Sequence, residues 1–210
     1  MTEIERMKAG MLYDPGIEEL LAEQMRAQDM MHEFNMLKPS QSAEQQEYMK
    51  KMFAECGENT YLQRPVYANW GGRNVHLGSN IYANFNLTLV DDGHIYIGDY
   101  VQFGPNVTVA TAGHPVLPEL RSNGPFYQYN KDVHIGNAVW IGAGSVICPG
   151  VTIGENTVIG AGSVVTKDIP ANVVAYGNPC RVARPIGDRD REFYFRNERI
   201  DWDELNRASQ

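Results

Sequence analysis

The sequence predicts a mainly β chain: a parallel β-helix of six-residue repeats with an N-terminal helical cap. Three observations carry this. Over 133–166 an aliphatic residue returns every six positions, at Ile135, Ile141, Ile147, Ile153, Ile159 and Val165, and Gly136, Gly142, Gly154 and Gly160 follow four of them. The same beat occurs upstream at Val75, Ile81 and Leu87, slips over VDDGHIY, and resumes at Ile97, Phe103 and Val109. Residues 1–59 lack the beat and carry helical patterning instead. A helix has a period of 3.6 and a strand a period of two, and repeated Gly weakens a helix interior, so neither explains the repeat. A fixed six-residue repeat marks a β-helix in which each hexad is a short strand plus a turn; three hexads, roughly eighteen residues, make one triangular coil.

The elements follow in order. Thr2 and Glu5 have capping-box spacing, which predicts a short first helix ending near Gly10. MLYDPG reads as a turn, because Pro15 restricts Asp14 to extended conformations. Apolar residues between 17 and 34 predict a second helix closed by Pro39. Ser42 with Gln45 suggests a second capping box, opening a third helix that carries Tyr48, Met49, Met52, Phe53 and Cys56 on one face and stops at Gly57. Together these form the cap, 1–59, which shields the core and strand edges of the first coil. The β-helix is expected over 60–185. Its rhythm breaks at 112–132, AGHPVLPELRSNGPFYQYNKD, too long for a simple connection and rich in aromatics, so an ordered functional loop is expected there. The tail, 186–210, contains EFYF, which favours a strand, and is expected to pack on the helix or on a neighbouring subunit.

Composition limits the function. Of 210 residues, 21% are charged and 43% hydrophobic, ordinary for a folded chain, while 20 Gly fit a turn-rich fold. A net charge of −8 argues against nucleic acid as a partner. Three scattered cysteines suit unpaired thiols in a reducing compartment. No apolar run approaches the roughly 18 residues of a membrane span, and the charged N-terminus does not read as a signal peptide. A cytoplasmic chain without a membrane partner is the expectation.

Four histidines, His76, His94, His114 and His134, recur at 18, 20 and 20 residues, close to one coil, and could form a column along one edge. A zinc site needs ligands within about 2.1 Å of the ion, whereas stacked coils lie about 4.8 Å apart, so His76, His94 and His134 read as structural or exposed and no metal is expected. His114 differs, because it sits where the repeat breaks, between Gly113 and Pro115, with Asn84 and the Asp91–Asp92 pair in neighbouring coils. An imidazole there suits a general base near neutral pH. With no motif for a covalent nucleophile, direct transfer is the expected chemistry. Lys167, Arg181 and Arg184 gather beyond the last regular hexads and suit a phosphorylated ligand.

The segments ANFNLTLVDD (83–92), TAGHPV (111–116), VWIGAGSVICPGVTIGENTVIGAGSVVTKDIP (139–170) and GNPCRV (177–182) resemble the galactoside and maltose O-acetyltransferases, hexapeptide-repeat acyltransferases of left-handed β-helix fold. MLYDPG, MHEFN (31–35) and IGDRDREFYF (186–195) resemble the galactoside enzymes in particular. The resemblance implies left-handed coils, acetyl transfer from acetyl-CoA to a sugar hydroxyl of galactoside, maltose or glucose type, and a homotrimer with active sites between subunits. By position, His114 resembles the catalytic base and Asn84 the residue contacting both substrates beside it. Asp14, Tyr82 and Asp92 resemble acceptor contacts. The amides of Ala143 and Ala161 match CoA-facing positions, Trp140 the tryptophan beside the CoA channel, and Thr166, Lys167, Arg181 and Arg184 contacts to the nucleotide end. Two departures touch the acceptor side. Asn69 stands where relatives place Ser or Asp, within NWGGRNVHLG, and Phe126 stands where the galactoside enzymes have Met, in a longer loop. Alternatives are a xenobiotic hydroxyl as acceptor, a zinc enzyme of the γ-carbonic anhydrase type, whose His-x4-His pair is lacking, and a non-catalytic trimeric scaffold.

Overall fold

The computed structural model describes residues 1–122 and 124–208; position 123 of the expected loop and 209–210 of the tail lie outside the described residues. The chain forms a left-handed parallel β-helix of hexapeptide repeats with an N-terminal helical cap. Every repeat position named from the sequence, from Val75 to Val165, is at most 4% exposed. Burying each such side chain contributes about 1.5–3 kcal/mol, and together they form one core running the length of the coils.

The strands stack into three faces. The first joins Glu55–Cys56, Val75–Leu77, Ile95–Ile97, Val133–Ile135 and Thr152–Ile153 in parallel register. The second runs from Tyr61–Leu62 through Tyr82–Ala83, Gln102–Phe103, Trp140–Ile141 and Val158–Ile159 to Val173–Tyr176, and ends on the antiparallel edge strand Arg181–Pro185. The third holds Val66–Ala68, Leu87–Val90, Thr108–Ala110, Val146–Ile147 and Val164–Val165. Two chain segments leave this order. The corner after Leu87–Val90 holds Asp91, Asp92 and Gly93, which accounts for the slip in the repeat, and 112–132 extends outward as a loop.

The corner between the first and second faces turns through a left-handed residue in every coil: Asn59, Asn80, Tyr100, Ala138, Asn156 and Asn172 all have φ between 53 and 60°. Asn tolerates this region because its short polar side chain bonds locally. Here the amides also bond between coils, Asn59 to Asn80 at 3.3 Å and Asn156 to Asn172 at 3.0 Å.

The cap contains helices α1 (Glu3–Lys8), α2 (Glu18–Met36) and α3 (Ser42–Met52). The Thr2–Glu5 capping box forms as the spacing predicts. The Ser42–Gln45 box does not. Gln41 is the N-cap, and Gln45, 1% exposed, turns inward to donate to the Leu62 carbonyl at 2.9 Å and to accept from Arg64 at 2.6 Å. α3 also ends at Met52 rather than continuing to Cys56, because Glu55–Cys56 pairs with Val75–Leu77 and covers the otherwise open end of the first face. The strand ladder therefore opens ahead of residue 60. At the other end the tail forms Asp188–Glu192, the hairpin Phe193–Phe195 with Glu198–Arg199, and the helix Trp202–Ala208. It is tied to the coils by the Ile186 amide on the Asn172 carbonyl, 2.9 Å. Tyr194, Phe195 and Trp202 stay more than half exposed. No described helix is long and apolar enough to cross a membrane.

Ala138 pays the left-handed penalty without the local bonds that Asn supplies. Ala138→Asn is expected to extend the ladder to Asn156 and raise stability by about 0.5–1 kcal/mol, read as a higher urea midpoint with unchanged slope.

Candidate active site

The loop that breaks the repeat is a hairpin. Ala112–Gly113 pairs antiparallel with Tyr129–Asn130, and the Lys131 amide bonds the Thr111 carbonyl at 2.8 Å, returning the chain to the first face. A Cβ on Gly113 would lie 2.8 Å from the end of the Tyr129 ring, so a larger residue here would push that ring aside. His114 follows at the exposed end of this pair, and its Nδ1 lies 2.8 Å from the Tyr127 carbonyl oxygen. A carbonyl only accepts, so Nδ1 carries the hydrogen and Nε2 is left with a free lone pair. One backbone contact thus sets both the direction and the tautomer of the candidate base.

Behind His114 lies a buried polar network. Tyr13 and Gln128 exchange backbone hydrogen bonds, each 3.0 Å, which ties the loop to the segment between α1 and α2. The Gln128 side-chain amide donates to Tyr13 Oη and, at 3.0 Å, to Asp92 Oδ1. Trp70 Nε1 donates to the same Oδ1 at 3.2 Å and Asn69 Nδ2 to Asp92 Oδ2 at 2.9 Å, while Asn130 Nδ2 reaches the Asp92 carbonyl at 2.9 Å. Burial, then the charge of Asp92, pushes the Tyr13 phenol up to about 12, so it stays a hydroxyl. Asp91 points the other way. It is fully buried and accepts from the amides of Trp70 at 2.6 Å and Gly72 at 3.0 Å, which fixes the 69–72 turn. Burial raises its carboxyl to about 6 against those opposing hydrogen bonds. The adjacent aspartates therefore divide: Asp91 holds the 69–72 turn, and Asp92 gathers the side chains of Asn69, Trp70 and Gln128.

The other sequence-predicted residues distribute as follows. Asp14 is next to the Tyr13–Gln128 bridge, where its Oδ1 accepts from the Gly16 amide at 2.8 Å. Phe126 is 66% exposed on the loop. Tyr82, Asn84 and Trp140 lie elsewhere, on the second face and at the corner that leaves it. Tyr82 and Trp140 are two strands apart in register with Gln102 between them, and Asn84 Oδ1 accepts from the next amide, Phe85, at 2.8 Å. His114 and Asp92 follow the third face, so Asn84 and His114 occupy different corners of the triangle. One chain does not bring them together.

The candidate CoA wall is regular. Ala143 and Ala161 sit one coil apart, and a Cβ on Gly142 would lie 2.5 Å from the Ala161 nitrogen, so the small residue permits the close stacking of this edge. Among the described residues neither amide has an acceptor. Thr166 and Lys167 are exposed just beyond Val164–Val165, and Arg181 is exposed with one bond to the Cys180 carbonyl. Arg184 is engaged: both its terminal nitrogens bind Asp190 at 2.7 Å, and this guanidinium pulls the Asp190 carboxyl down to about 2. Two open amides, a hydroxyl and two available cations fit an extended, phosphate-ended ligand; Arg184 fits only after releasing Asp190.

The histidine column forms differently from its spacing. His76, Tyr96 and His134 stack at 4.4 and 4.7 Å between ring centres, and His94 stands beside this column with its Nδ1 3.0 Å from His76 Nε2. The slip at 91–93 moves His94 off the outward position that Tyr96 takes, and His114 leaves with the loop. Glu55 Oε2 lies 3.2 Å from His76 Nδ1 without hydrogen-bond geometry. Among the described residues no group of three His, Cys, Asp or Glu side chains is arranged to hold a metal ion. A cavity of about 600 Å³ lies between the cap and the Asp92 corner, lined by Trp70, Lys8, His94 and Lys131 among others, but Asp14, Asn69, His114 and Phe126 do not border it.

Family models match two parts of the chain, a maltose acetyltransferase hexapeptide capping motif over 6–57 and a bacterial transferase hexapeptide model of six repeats over 132–167. The galactoside O-acetyltransferase of Lactococcus lactis subsp. lactis (strain IL1403) is 54% identical, covering 92% of this chain and 93% of its own. The chain belongs to the hexapeptide-repeat acyltransferases. A second relative, the galactoside O-acetyltransferase of Escherichia coli (strain K12), is 51% identical over 96% of this chain and 98% of its own. A solved galactoside acetyltransferase in complex with coenzyme A superposes with a TM-score of 0.91 at 51% identity, over 96% and 99% of the two chains. This acyltransferase is an acetyl-transferring enzyme. Sequence reasoning missed Tyr13, Trp70, Gln128 and Asn130 as site residues. They are scattered along the chain and share no spacing, and only the inserted loop marked their neighbourhood.

Asp91 gives this acyltransferase a pH signature. Its folded value of about 6 exceeds the ordinary 3.8, so between these values the folded state binds more protons than the unfolded one, and the Asp91 contribution to stability falls as pH rises from about 4 to 6. Asp91→Asn removes that dependence and leaves one buried backbone N–H without an acceptor. It should lower stability by about 1–3 kcal/mol, more at pH 5 than at pH 7, as measured by urea unfolding at the two pH values.

Proposed function

We propose that the enzyme transfers acetyl from acetyl-CoA directly to a sugar hydroxyl, with His114 as general base. The observation that carries this reading is the 2.8 Å contact of Nδ1 with the Tyr127 carbonyl, which leaves Nε2 free to take a proton. Acetyl-CoA supplies an activated thioester carbonyl. His114 removes the hydroxyl proton as the oxygen attacks the thioester carbonyl, and returns it to the CoA sulfur as the C–S bond breaks and CoA leaves as the thiol, a role contributing about 10²–10⁴-fold in rate. The open amide of Ala143 is suited to receive the negative charge that develops on the carbonyl oxygen. Asp92 suits a sugar, because an ionised carboxylate accepts hydroxyl donors only, and its Oδ2 accepts just one protein bond.

The site is completed between copies of the chain. His114, Asp92 and Asn69 come from the corner after the third face, while Tyr82, Asn84 and Trp140 belong to a separate edge, so a homotrimer that apposes the two edges assembles base, acceptor contacts and CoA wall. The exposed aromatics Tyr82 and Trp140, 43% and 53% accessible in one chain, support an edge that is covered on assembly. A xenobiotic hydroxyl is the second reading; the exposed Phe126 ring beside the loop favours it by offering an apolar wall.

The deciding experiment measures CoA thiol release across a panel of sugars and other alcohols. His114→Ala should lower kcat at least a hundredfold with the acetyl-CoA KM little changed; unchanged turnover removes His114 from the mechanism. On the donor side, Lys167→Ala should raise the acetyl-CoA KM severalfold, and Arg184→Ala should raise it less, because Asp190 already holds that guanidinium. An Arg184 effect larger than that of Lys167 would show that Arg184 exchanges partners on binding.

A further inference from the structure

The Gln128 side chain is connected well beyond what a surface loop residue requires. It is 9% exposed, and its amide nitrogen lies within bonding distance of three oxygens: Tyr13 Oη, Asp92 Oδ1 at 3.0 Å and Asn130 Oδ1 at 3.3 Å. Asp92 Oδ1 is a pure acceptor, so the group facing it must be the nitrogen and not the carbonyl oxygen. An amide has two hydrogens. They serve Asp92 and Tyr13, and the Tyr13 hydroxyl in turn donates to Asn130 Oδ1 at 3.4 Å. This order leaves Gln128 Oε1 pointing away from the network. That oxygen has no partner among the described residues, and it is absent from the sealed, unpartnered polar atoms, so it is not closed off from solvent.

Asp92 has a matching vacancy. Its Oδ1 is filled by Trp70 Nε1 and Gln128 Nε2, whereas among the described residues Oδ2 accepts only from Asn69 Nδ2. Among the described residues, two acceptor atoms of directly bonded residues thus keep unused capacity. Tyr127, one residue before Gln128, fixes His114, so the same two residues of the hairpin arm orient both the base and the acceptor pair.

We infer that Gln128 is a specificity-determining residue of the acceptor site, and that Gln128 Oε1 with Asp92 Oδ2 selects acceptors carrying two hydroxyl donors on neighbouring carbons. Resting on the proposed acetyl transfer, this narrows the acceptor to a polyol or sugar with an adjacent free diol and disfavours an isolated alcohol. Gln128 acts in two ways: its nitrogen holds the Asp92 carboxylate in place, and its oxygen takes one hydroxyl of the pair.

The test pairs substitution with deletion of substrate hydroxyls. Gln128→Met keeps length and removes both polar atoms. With a hexopyranoside acceptor it should raise the acceptor KM about tenfold, keep kcat within about threefold, and leave the acetyl-CoA KM unchanged. For the wild type, one of the monodeoxy analogues of that sugar should show the same tenfold loss, and the variant should show no further loss on that analogue. Gln128→Glu supplies an independent readout. It sets a second carboxyl about 3 Å from Asp92, where the pair shares one proton, so the variant's acceptor KM should approach wild type near pH 5.5 and worsen at least tenfold by pH 8, relative to wild type at each pH. An unchanged acceptor KM in Gln128→Met, or equal losses on the sugar and every deoxy analogue, overturns the inference while wild-type activity stands. Absence of CoA release by the wild type with any hydroxylated acceptor removes the underlying reading as well.

Discussion

Everything in this molecule depends on the backbone hydrogen bonds that join each coil to the next. They hold successive turns at the spacing of neighbouring strands, about 4.8 Å, and the spacing is unforgiving at the corners. The Gly142 position leaves no room for a methyl group against Ala161, and the corner column of left-handed residues repeats in every coil. The repeated aliphatic residue of each hexad, joined in many hexads by a second inward residue such as Val139 beside Ile141 or Val151 beside Ile153, points into the same narrow prism and meets its equivalents above and below to make a continuous core. The open end of the prism recruits whatever backbone is at hand. Glu55–Cys56 leaves a helical pattern to pair with the first face, and Gln45 abandons a helix start to bond the first coil.

The same rigidity makes departures from the repeat useful. At 91–93 the corner is enlarged, and its two carboxylates face opposite ways. Asp91, sealed among backbone amides, shapes the 69–72 turn; that turn places Asn69 and Trp70, which with Gln128 hold Asp92. The inserted hairpin is anchored at both ends, by Gly113 against Tyr129 and by Tyr13 against Gln128, so a loop projecting from the coils is nevertheless firmly positioned. On that support the Tyr127 carbonyl selects the imidazole tautomer of the proposed base through one fixed acceptor.

The proposed donor and acceptor sides are built on different principles. The donor wall is periodic: Ala143 and Ala161 are equivalent positions of adjacent coils, and their open amides follow from the repeat itself. The acceptor side is aperiodic, drawn from the cap, the first turn of coil, the enlarged corner and the hairpin. A site of this kind can change its selectivity by exchanging loop residues such as Phe126 and Gln128 without disturbing the core or the donor wall. Asn84 and His114 lie on different corners of one chain, so the proposed chemistry depends on the proposed assembly of chains.

The sequence by itself determined the architecture, because a six-residue period has one structural solution and each aliphatic residue on it must be buried. It also marked His114 and Asp92, since each stands at a break in that period, whereas Asn84, inside the regular hexads, was singled out only by the family resemblance of ANFN. Other features depended on contacts between residues far apart in the chain, which no local pattern encodes. Spacing placed the four histidines in one column, but the slip at 91–93 put Tyr96 where His94 was expected. Charge grouped Arg184 with Lys167, but the tail brought Asp190 to it. The tertiary structure alone assembled Tyr13, Trp70, Gln128 and Asn130 around one carboxylate, because buried polar groups are satisfied by whichever partners the packing brings within reach.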